Sequence, residues 1–456
     1  MAAGIEYFEI AGLHGHRHLN IPIEDNKIIL VGENGTGKTT VLRLLYYCLS
    51  GQWNALRRHN FSSLAVGIGG ARYEVTREQL GTGGERLDPR AVVTLPAELP
   101  RLVRELVLRR ERGRSWTDLS PLFERDGTEA GTVLRHLLSE PDPPPKSRKE
   151  LDRVRSQIGE ALDCQFLYLP TYRRIEQEFS LIFDDAEEFE RRHRQPRPRP
   201  GDKQTYTELI QFGMGDVERA VAETVARLKE FAREGLNTLT LGYLGDVVDG
   251  VYTRVDVSEI RRASDDTIES VLGRIEESIL SAEQKRHLLE LIHPVRRGDA
   301  LTPHAMVICH YSLKLLHFQE QLRQKESRLS AFCVVCNEYL GQGKRFAYNS
   351  GTFSFGIEQV REGAGRAVIE LRHLSSGEKQ IVSLFSHLCL SEHPRHFVLI
   401  DEPELSLSVP WQRRFLQDVC NEDFCAGLVA ATHSPFVYEN SLERYAHGLG
   451  EFEVNG

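Results

Sequence analysis

The chain has 456 residues, about three times an ordinary single domain, and predicts one to three compact units. Hydrophobic residues make up 40% and charged residues 27%, which excludes a disordered, collagen-like or disulfide-framework protein. The net charge of −9 excludes a fold coated all over in nucleic acid, while leaving room for a local basic patch.

No stretch approaches the roughly 18 apolar residues of a membrane span, so no membrane association is expected. Met1 to Ile10 lacks the basic start and apolar run of a secretion signal. Eight scattered cysteines fit reduced thiols in a cytoplasmic protein. With 11 lysines against 46 arginines, a lysine inside a motif stands out.

Glu6–Ile10 and Leu19–Ile23 read as short strands, and Lys27–Val31 as a buried one. A glycine-rich loop follows. Lys38–Ser50 then reads as a helix with Val41, Leu42, Leu44, Leu45, Cys48 and Leu49 near helical spacing, ended by Gly51. Ala71–Thr76 is a further strand. Residues 97–160 read as helical but broken at Pro141–Pro145. Phe166–Leu169 is a buried strand. After the acidic run Asp184–Glu190, the arginine–proline stretch 191–200 reads as an exposed, mobile loop. From 205 to 342 the pattern is mainly helical, with interruptions expected at His293-Pro294 and at several glycines. Leu315, Phe318, Leu322, Lys325, Leu329, Phe332 and Cys336 form a seam of about three heptads, which predicts a compact helical insertion and not a long coiled-coil arm. Strands return at Arg345–Tyr348, Thr352–Glu358, Val368–Leu371, Phe397–Ile400 and Leu428–Ala431.

Gly32-Glu33-Asn34-Gly35-Thr36-Gly37-Lys38-Thr39 matches the phosphate-loop pattern G-x-x-x-x-G-K-[S/T], with Thr40 continuing into the helix. Its glycines let the backbone N–H groups turn toward phosphate, and the following helix adds its positive dipole end. Lys38 supplies a charge for the β- and γ-phosphates, and the Thr39 hydroxyl a ligand for Mg²⁺. Phe397–Ile400 ends in Asp401-Glu402. A parallel strand would carry Asp401 to the edge where Lys38 and Thr39 sit, Asp401 serving Mg²⁺ and Glu402 the attacking water. His433 closes another apolar strand, placed to hydrogen-bond a γ-phosphate oxygen or that water.

Leu374-Ser375-Ser376-Gly377-Glu378-Lys379-Gln380 resembles the L-S-G-G-[Q/E] signature of ABC-type ATPases, in the form of SMC-like and DNA-repair heads. The phosphate loop, signature, acidic strand and histidine, in that order, resemble an ABC/SMC-like ATPase head over roughly residues 1–80 and 345–456. Asp401–Ser408 resembles the D-loop region. The resemblance implies an α/β, ABC-type head, a mixed sheet with flanking helices, carrying a large mainly helical insertion. Its expected divisions are an N-terminal lobe over 1–95, a helical segment over 96–160, a strand and Q-loop-like segment over 161–185, the helical insertion over 186–342 and a C-terminal lobe over 343–456. It implies ATP and Mg²⁺ as cofactors. It also implies a head-to-tail dimer in which Ser375, Ser376, Gly377 and Glu378 of one copy cap the γ-phosphate held by another. Ser376 stands where many members have glycine. The Q-loop glutamine is not in its usual place: Gln177 comes late, and Arg173 or Arg174 are the alternative phosphate contacts. Leu167–Glu176, Phe212–Val217 and Ile400–Ser408 resemble ATPase subunits of bacterial anti-phage systems, of the PARIS type with relatives in Septu and retron systems. That implies a sensor controlling a separate nuclease or toxin subunit.

The remaining motifs point less far. With 23 residues after His433, no TOPRIM nuclease domain of the kind found in overcoming-lysogenization proteins is expected. Cys333 and Cys336 read as buried thiols, and His14, His16 and His18 as a surface turn, so no zinc site is expected. Arg109, Arg110, Arg112, Arg114 and the 191–199 arginines suit DNA phosphates, an acidic partner or solvent equally. Three functions stay open on these residues: a defence ATPase, a DNA-repair or chromosome-maintenance clamp that binds DNA with ATP, and a non-catalytic nucleotide-gated scaffold.

Overall fold

The computed structural model describes residues 3–81, 86–87, 138–139, 145–170, 206–208, 214–262, 281–297, 302–341, 343–361, 365–393 and 395–454. Arg173, Arg174, Gln177, the Arg109–Arg114 group and the 191–200 stretch lie outside them.

A six-stranded parallel sheet forms the centre. Its order is β15 (Ala446–Gly448), β3 (Lys27–Val31), β14 (Cys425–Thr432), β13 (His396–Asp401), β8 (Gln165–Leu169) and β9 (Tyr206–Glu208). Alternation along these strands sends side chains to two separate cores. Ile28, Leu30, Phe166, Tyr168, Phe397, Leu399, Val429 and Ala431 face one of them. Ile29, Leu167, Leu169, Val398, Ile400, Leu428 and Ala430 face the other. Burial on both faces explains why these strands read as unbroken apolar runs.

The first core is covered by helix α1 (Lys38–Ser50) and by a four-stranded antiparallel sheet. That sheet runs in the order β2 (Arg17–Pro22), β1 (Ile5–Leu13), β4 (Ser63–Ile68) and β5 (Ala71–Thr76). The short helices α2 (Trp53–Arg57) and α3 (Arg77–Leu80), and α4 (Pro145–Leu162), complete this side. Pro145, expected in the proline loop, is instead the first residue of α4, where its missing N–H costs no intrahelical bond. A two-residue ribbon pairs β6 (Arg86–Leu87) with β7 (Leu138–Ser139).

The insertion is built on two 35-residue helices, α5 (Met214–Val248) and α8 (Pro303–Asn337), each roughly 50 Å long at 1.5 Å per residue. They run well past the predicted seam, of which Leu315, Leu322, Leu329, Phe332 and Cys336 are buried. Of the interruptions expected at proline and glycine, Gly250 with φ of 70° does follow the end of α5, whereas Pro294 and Gly235 lie inside helices. Pro294 sits inside α7 (Ala282–Arg297), flanked by buried Ile292 and Val295. Gly235 lies within α5, where a Cβ would stand 2.2 Å from the Phe318 ring. In both cases packing outweighs local propensity. The near ends of α5 and α8 join the second core, while α6 (Ser258–Arg262), α7 and the far ends share a third.

Beyond α8, a three-stranded antiparallel sheet of β10 (Lys344–Asn349), β11 (Ser354–Arg361) and β12 (Gly365–Ile369) leads to α9 (Ser376–Leu390). With α10 (Val409–Val419), α9 packs on the second face of the central sheet. Parallel and antiparallel pairing thus occur in separate sheets of one α/β fold. Every described cysteine is free, and Cys333 and Cys336 are buried in the α8 core. No described helix is long and apolar enough to cross a membrane.

Candidate active site

Because β3, β8, β13 and β14 are parallel, their carboxyl ends meet at one edge. The chain leaves β3 through the glycine-rich loop. Gly32, Gly35 and Gly37 have φ of 141°, 85° and 98°, a region that a Cβ disfavours. Gly37 is the N-cap of α1, and no side chain caps that helix end. Gly32, Glu33, Asn34 and Gly35 are exposed, and Thr40 is half-buried on the first turn. The loop holds its shape by a bond from Thr36 Oγ1 to the Glu33 carbonyl, 3.0 Å. Lys38 is buried, and its Nζ donates to the carbonyls of Gly32 at 2.7 Å and Glu33 at 2.9 Å.

Asp401 closes β13, wholly buried, and its Oδ1 accepts from Thr39 Oγ1 at 3.0 Å. A hydroxyl and a carboxylate at that spacing, beside a phosphate loop, are the hard oxygen donors that suit Mg²⁺.

The chain then turns sharply. Glu402 has φ of 53° and Ser406 of 66°, unusual for residues with a Cβ. The Glu402 N–H still follows the ladder to the Ala431 carbonyl at 2.8 Å. Glu402 Oε2 stands 2.6 Å from His433 Nδ1. Burial and the adjacent Glu404 carboxylate push the Glu402 carboxyl up to about 7, against the opposing pull of His433. Glu402 and His433, two of the sequence candidates, therefore meet directly.

The signature segment is placed differently. Ser375 caps α9: its Oγ accepts from the Glu378 N–H at 3.3 Å while Glu378 Oε2 accepts from the Ser375 N–H at 2.7 Å. Ser375 and Ser376 are exposed. Gly377 is buried against the acidic turn, where a Cβ would stand 2.9 Å from the Ser406 carbonyl oxygen and 3.1 Å from the Trp411 ring. Glu378, expected to face a neighbouring copy, points inward instead, its two oxygens 3.1 and 3.0 Å from Lys344 Nζ. Burial opposes its charge, but the Ser375 N–H and the Lys344 ammonium hold its carboxyl below the usual range.

Three residues at this edge escaped the sequence reading. Glu404 is buried and reaches both Thr432 and His433. Arg17, on β2, donates to the Thr36 carbonyl at 3.0 Å while its Nε binds Glu453 at 2.8 Å. Lys344 is the partner of Glu378. The one available signal was Glu404's place two residues after Glu402; Arg17 and Lys344 sit in stretches without a motif.

Two family models match the chain. Residues 8–210 match a family described as an AAA domain. Residues 319–439 match one described as "AAA domain, putative AbiEii toxin, Type IV TA system". No curated protein matches significantly. Among solved structures the chain is similar to an Smc head domain with an extended coiled coil, bound to the C-terminal domain of ScpA, from Pyrococcus furiosus. That match has 13% identity, 95% of this chain, 91% of the other and a TM-score of 0.34. An SmcHead bound to the C-winged helix domain of ScpA gives 13%, 95%, 90% and 0.35. These structural overlaps are loose. The two matched stretches, which between them carry the loop, Asp401, Glu402 and His433, are thus both similar to AAA domains.

Proposed function

We propose that the chain binds ATP with Mg²⁺, hydrolyses it, and through that cycle controls a separate nuclease or toxin subunit in anti-phage defence. The observation that carries the hydrolysis is the 3.0 Å bond between Thr39 and Asp401, which joins residues 362 positions apart beside the loop that holds Lys38. The loop N–H groups and the α1 dipole receive the phosphates. Lys38, already curled over the loop, has only to turn its ammonium from carbonyl to phosphate oxygens. Thr39 and Asp401 would hold Mg²⁺, which when bound would neutralise charge on the phosphates. Glu402 takes the proton as the water oxygen bonds to the γ-phosphorus and the bond to the bridging oxygen breaks, leaving ADP and phosphate. His433 hydrogen-bonds the γ-phosphate or the water.

A second copy completes the site. Ser375 and Ser376 are exposed at the start of α9, and the Ser375 hydroxyl keeps its own proton to donate although its oxygen caps the helix. ATP held between two heads would favour the paired state, and hydrolysis would release it. The defence role is supported by the motif resemblance at Ile400–Ser408 and by the family matched at 319–439, whose description names a putative toxin of a type IV toxin–antitoxin system.

The test is the full chain beside a Glu402→Gln variant, followed for ATP turnover, nucleotide retention, mass with and without ATP, and DNA binding against salt. Turnover in the parent, loss with ATP retained in the variant, and an ATP-dependent rise in mass are expected. Equal turnover in both removes Glu402 from the chemistry. Salt-sensitive DNA binding that strengthens with ATP favours the chromosome or repair clamp over the effector-controlling reading. Co-purification of an effector encoded beside this gene supports the latter.

A further inference from the structure

Glu404 lies in the middle of the edge just described, and no motif assigned it a role. Its side chain is 8% exposed. Oε2 accepts from Thr432 Oγ1 at 2.8 Å and Oε1 from the His433 backbone N–H at 3.2 Å, both from the end of β14. Oε1 also stands 3.2 Å from His433 Nδ1. The same carboxyl lies beside that of Glu402, an oxygen of each and a ring nitrogen of His433 all falling within 4.8 Å of one another. One buried group therefore touches the backbone and ring of His433, the strand that delivers it, and the side chain assigned to the attacking water.

The turn that bears Glu404 has no regular structure of its own to hold it. Glu402 and Ser406 both take positive φ, and the turn closes through the bonds from the Leu405 N–H to the Glu402 carbonyl, 3.2 Å, and from the Leu407 N–H to the Glu404 carbonyl, 3.1 Å. Anchoring its centre to β14 fixes where Glu402 points. The ring of His433 is half-exposed and could rotate freely if nothing held it. Nδ1 faces two carboxyl groups, at 2.6 and 3.2 Å, so a hydrogen on that nitrogen would be shared with them and Nε2 would be left as the acceptor.

We propose that Glu404 is the positioning residue of the site: its buried carboxyl, tied to Thr432 and His433, sets the tautomer and orientation of the His433 ring and holds the turn that aims Glu402. The proposal rests on the hydrolysis reading for its effect on turnover, but its structural content does not.

The experiment uses the full chain, Glu404→Gln, and Thr432→Val, which removes a donor to Glu404 while leaving every acidic group in place. Lys38→Ala serves as the nucleotide-site control. Glu404→Gln is expected to lower kcat about 10- to 100-fold with the KM for ATP within about twofold of the parent. Thr432→Val should lose an intermediate amount, and the double variant little more than Glu404→Gln alone, the excess measuring the Ser434 N–H bond of 3.0 Å that Thr432 Oγ1 also accepts. Independently of turnover, ¹⁵N-histidine spectra, with the His433 signals assigned by their loss in His433→Gln, should show hydrogen on Nδ1 in the parent and a shift toward mixed tautomers in Glu404→Gln. A His433 spectrum unchanged by Glu404→Gln overturns the proposal. So does a fully active Glu404→Gln in a preparation whose parent hydrolyses ATP and whose Lys38→Ala variant does not. A parent with no turnover sinks the hydrolysis reading instead, and the nitrogen spectra still decide the role of Glu404.

Discussion

Replacing Lys344 by methionine isolates what holds the signature turn. The Lys344 side chain is 21% exposed and that of Glu378 6%, so the substitution strips the counter-ion from a nearly buried carboxylate. Breaking a buried pair from one side costs about 3–5 kcal/mol. Two features of the site reduce that figure. Glu378 keeps the Ser375 N–H bond of 2.7 Å, and it sits in the first turn of α9, where the helix dipole stabilises a negative charge by about 0.3–1 kcal/mol. The expected loss is therefore about 2–3 kcal/mol at neutral pH. Glu378→Gln should cost less, about 1 kcal/mol, since a partly exposed lysine can rehydrate and glutamine can still accept from Ser375. The double variant should recover part of the Lys344→Met loss. Trp411 packs beside Gly377, so urea unfolding followed by its fluorescence, with Trp53 and Trp116 replaced by phenylalanine, reads the right neighbourhood. The folded carboxyl titrates below its unfolded value, so this stabilisation is complete above the ordinary glutamate range and is lost as pH falls through the lowered pKa. An unchanged midpoint in Lys344→Met, with the two substitutions strictly additive, would refute the account.

Other consequences are as direct. Lys38→Ala should abolish tight ATP binding, measured by calorimetry, while leaving the melting temperature within a few degrees of the parent. Asp401→Asn should leave nucleotide binding in the absence of Mg²⁺ unchanged but remove the gain in affinity that Mg²⁺ gives, and a full gain would show that Asp401 is no ligand. His396 is buried, and burial first and the Arg328 charge second lower its pKa to about 3 from 6.5. Below about pH 6.5 the unfolded chain therefore binds a proton that the folded one refuses. Stability should fall by about 1.4 kcal/mol per pH unit toward the acid side, a slope that His396→Gln should lessen in denaturation curves at several pH values. Gly235→Leu should unseat Phe318, which lies 2.2 Å from where a Cβ would stand, and lower the melting temperature; an unchanged melting curve would show the insertion to be loosely packed there.

The local features of this protein were legible in its residues. The phosphate loop is a backbone curl that three glycines allow, and Lys38–Ser50 emerges as a helix with the bounds its apolar spacing predicts. Phe166–Leu169, Phe397–Ile400 and Leu428–Ala431 announced themselves as buried strands, because a strand covered on both faces has no polar alternation to confuse it. Spacing also foresaw that Asp401 would arrive beside Thr39, since parallel strands bring their carboxyl ends together. Within the insertion the break expected at His293-Pro294 does not occur, because contacts from other segments compensate a local penalty that sequence alone makes visible.

What only the tertiary structure decided is which polar groups share a proton or a charge. Glu378 matched a motif, yet Lys344, 34 positions away, turns it inward. Glu404 lay inside the D-loop resemblance with no role of its own, yet it meets His433, 29 positions on. Arg17 touches the phosphate loop only because the fold lays β2 alongside it. Backbone curvature and burial periodicity are properties of neighbours in the chain and can be read in order. A hydrogen bond between carboxyl and imidazole depends on distances of about 3 Å between strand ends, and those are set by the packing of the whole sheet.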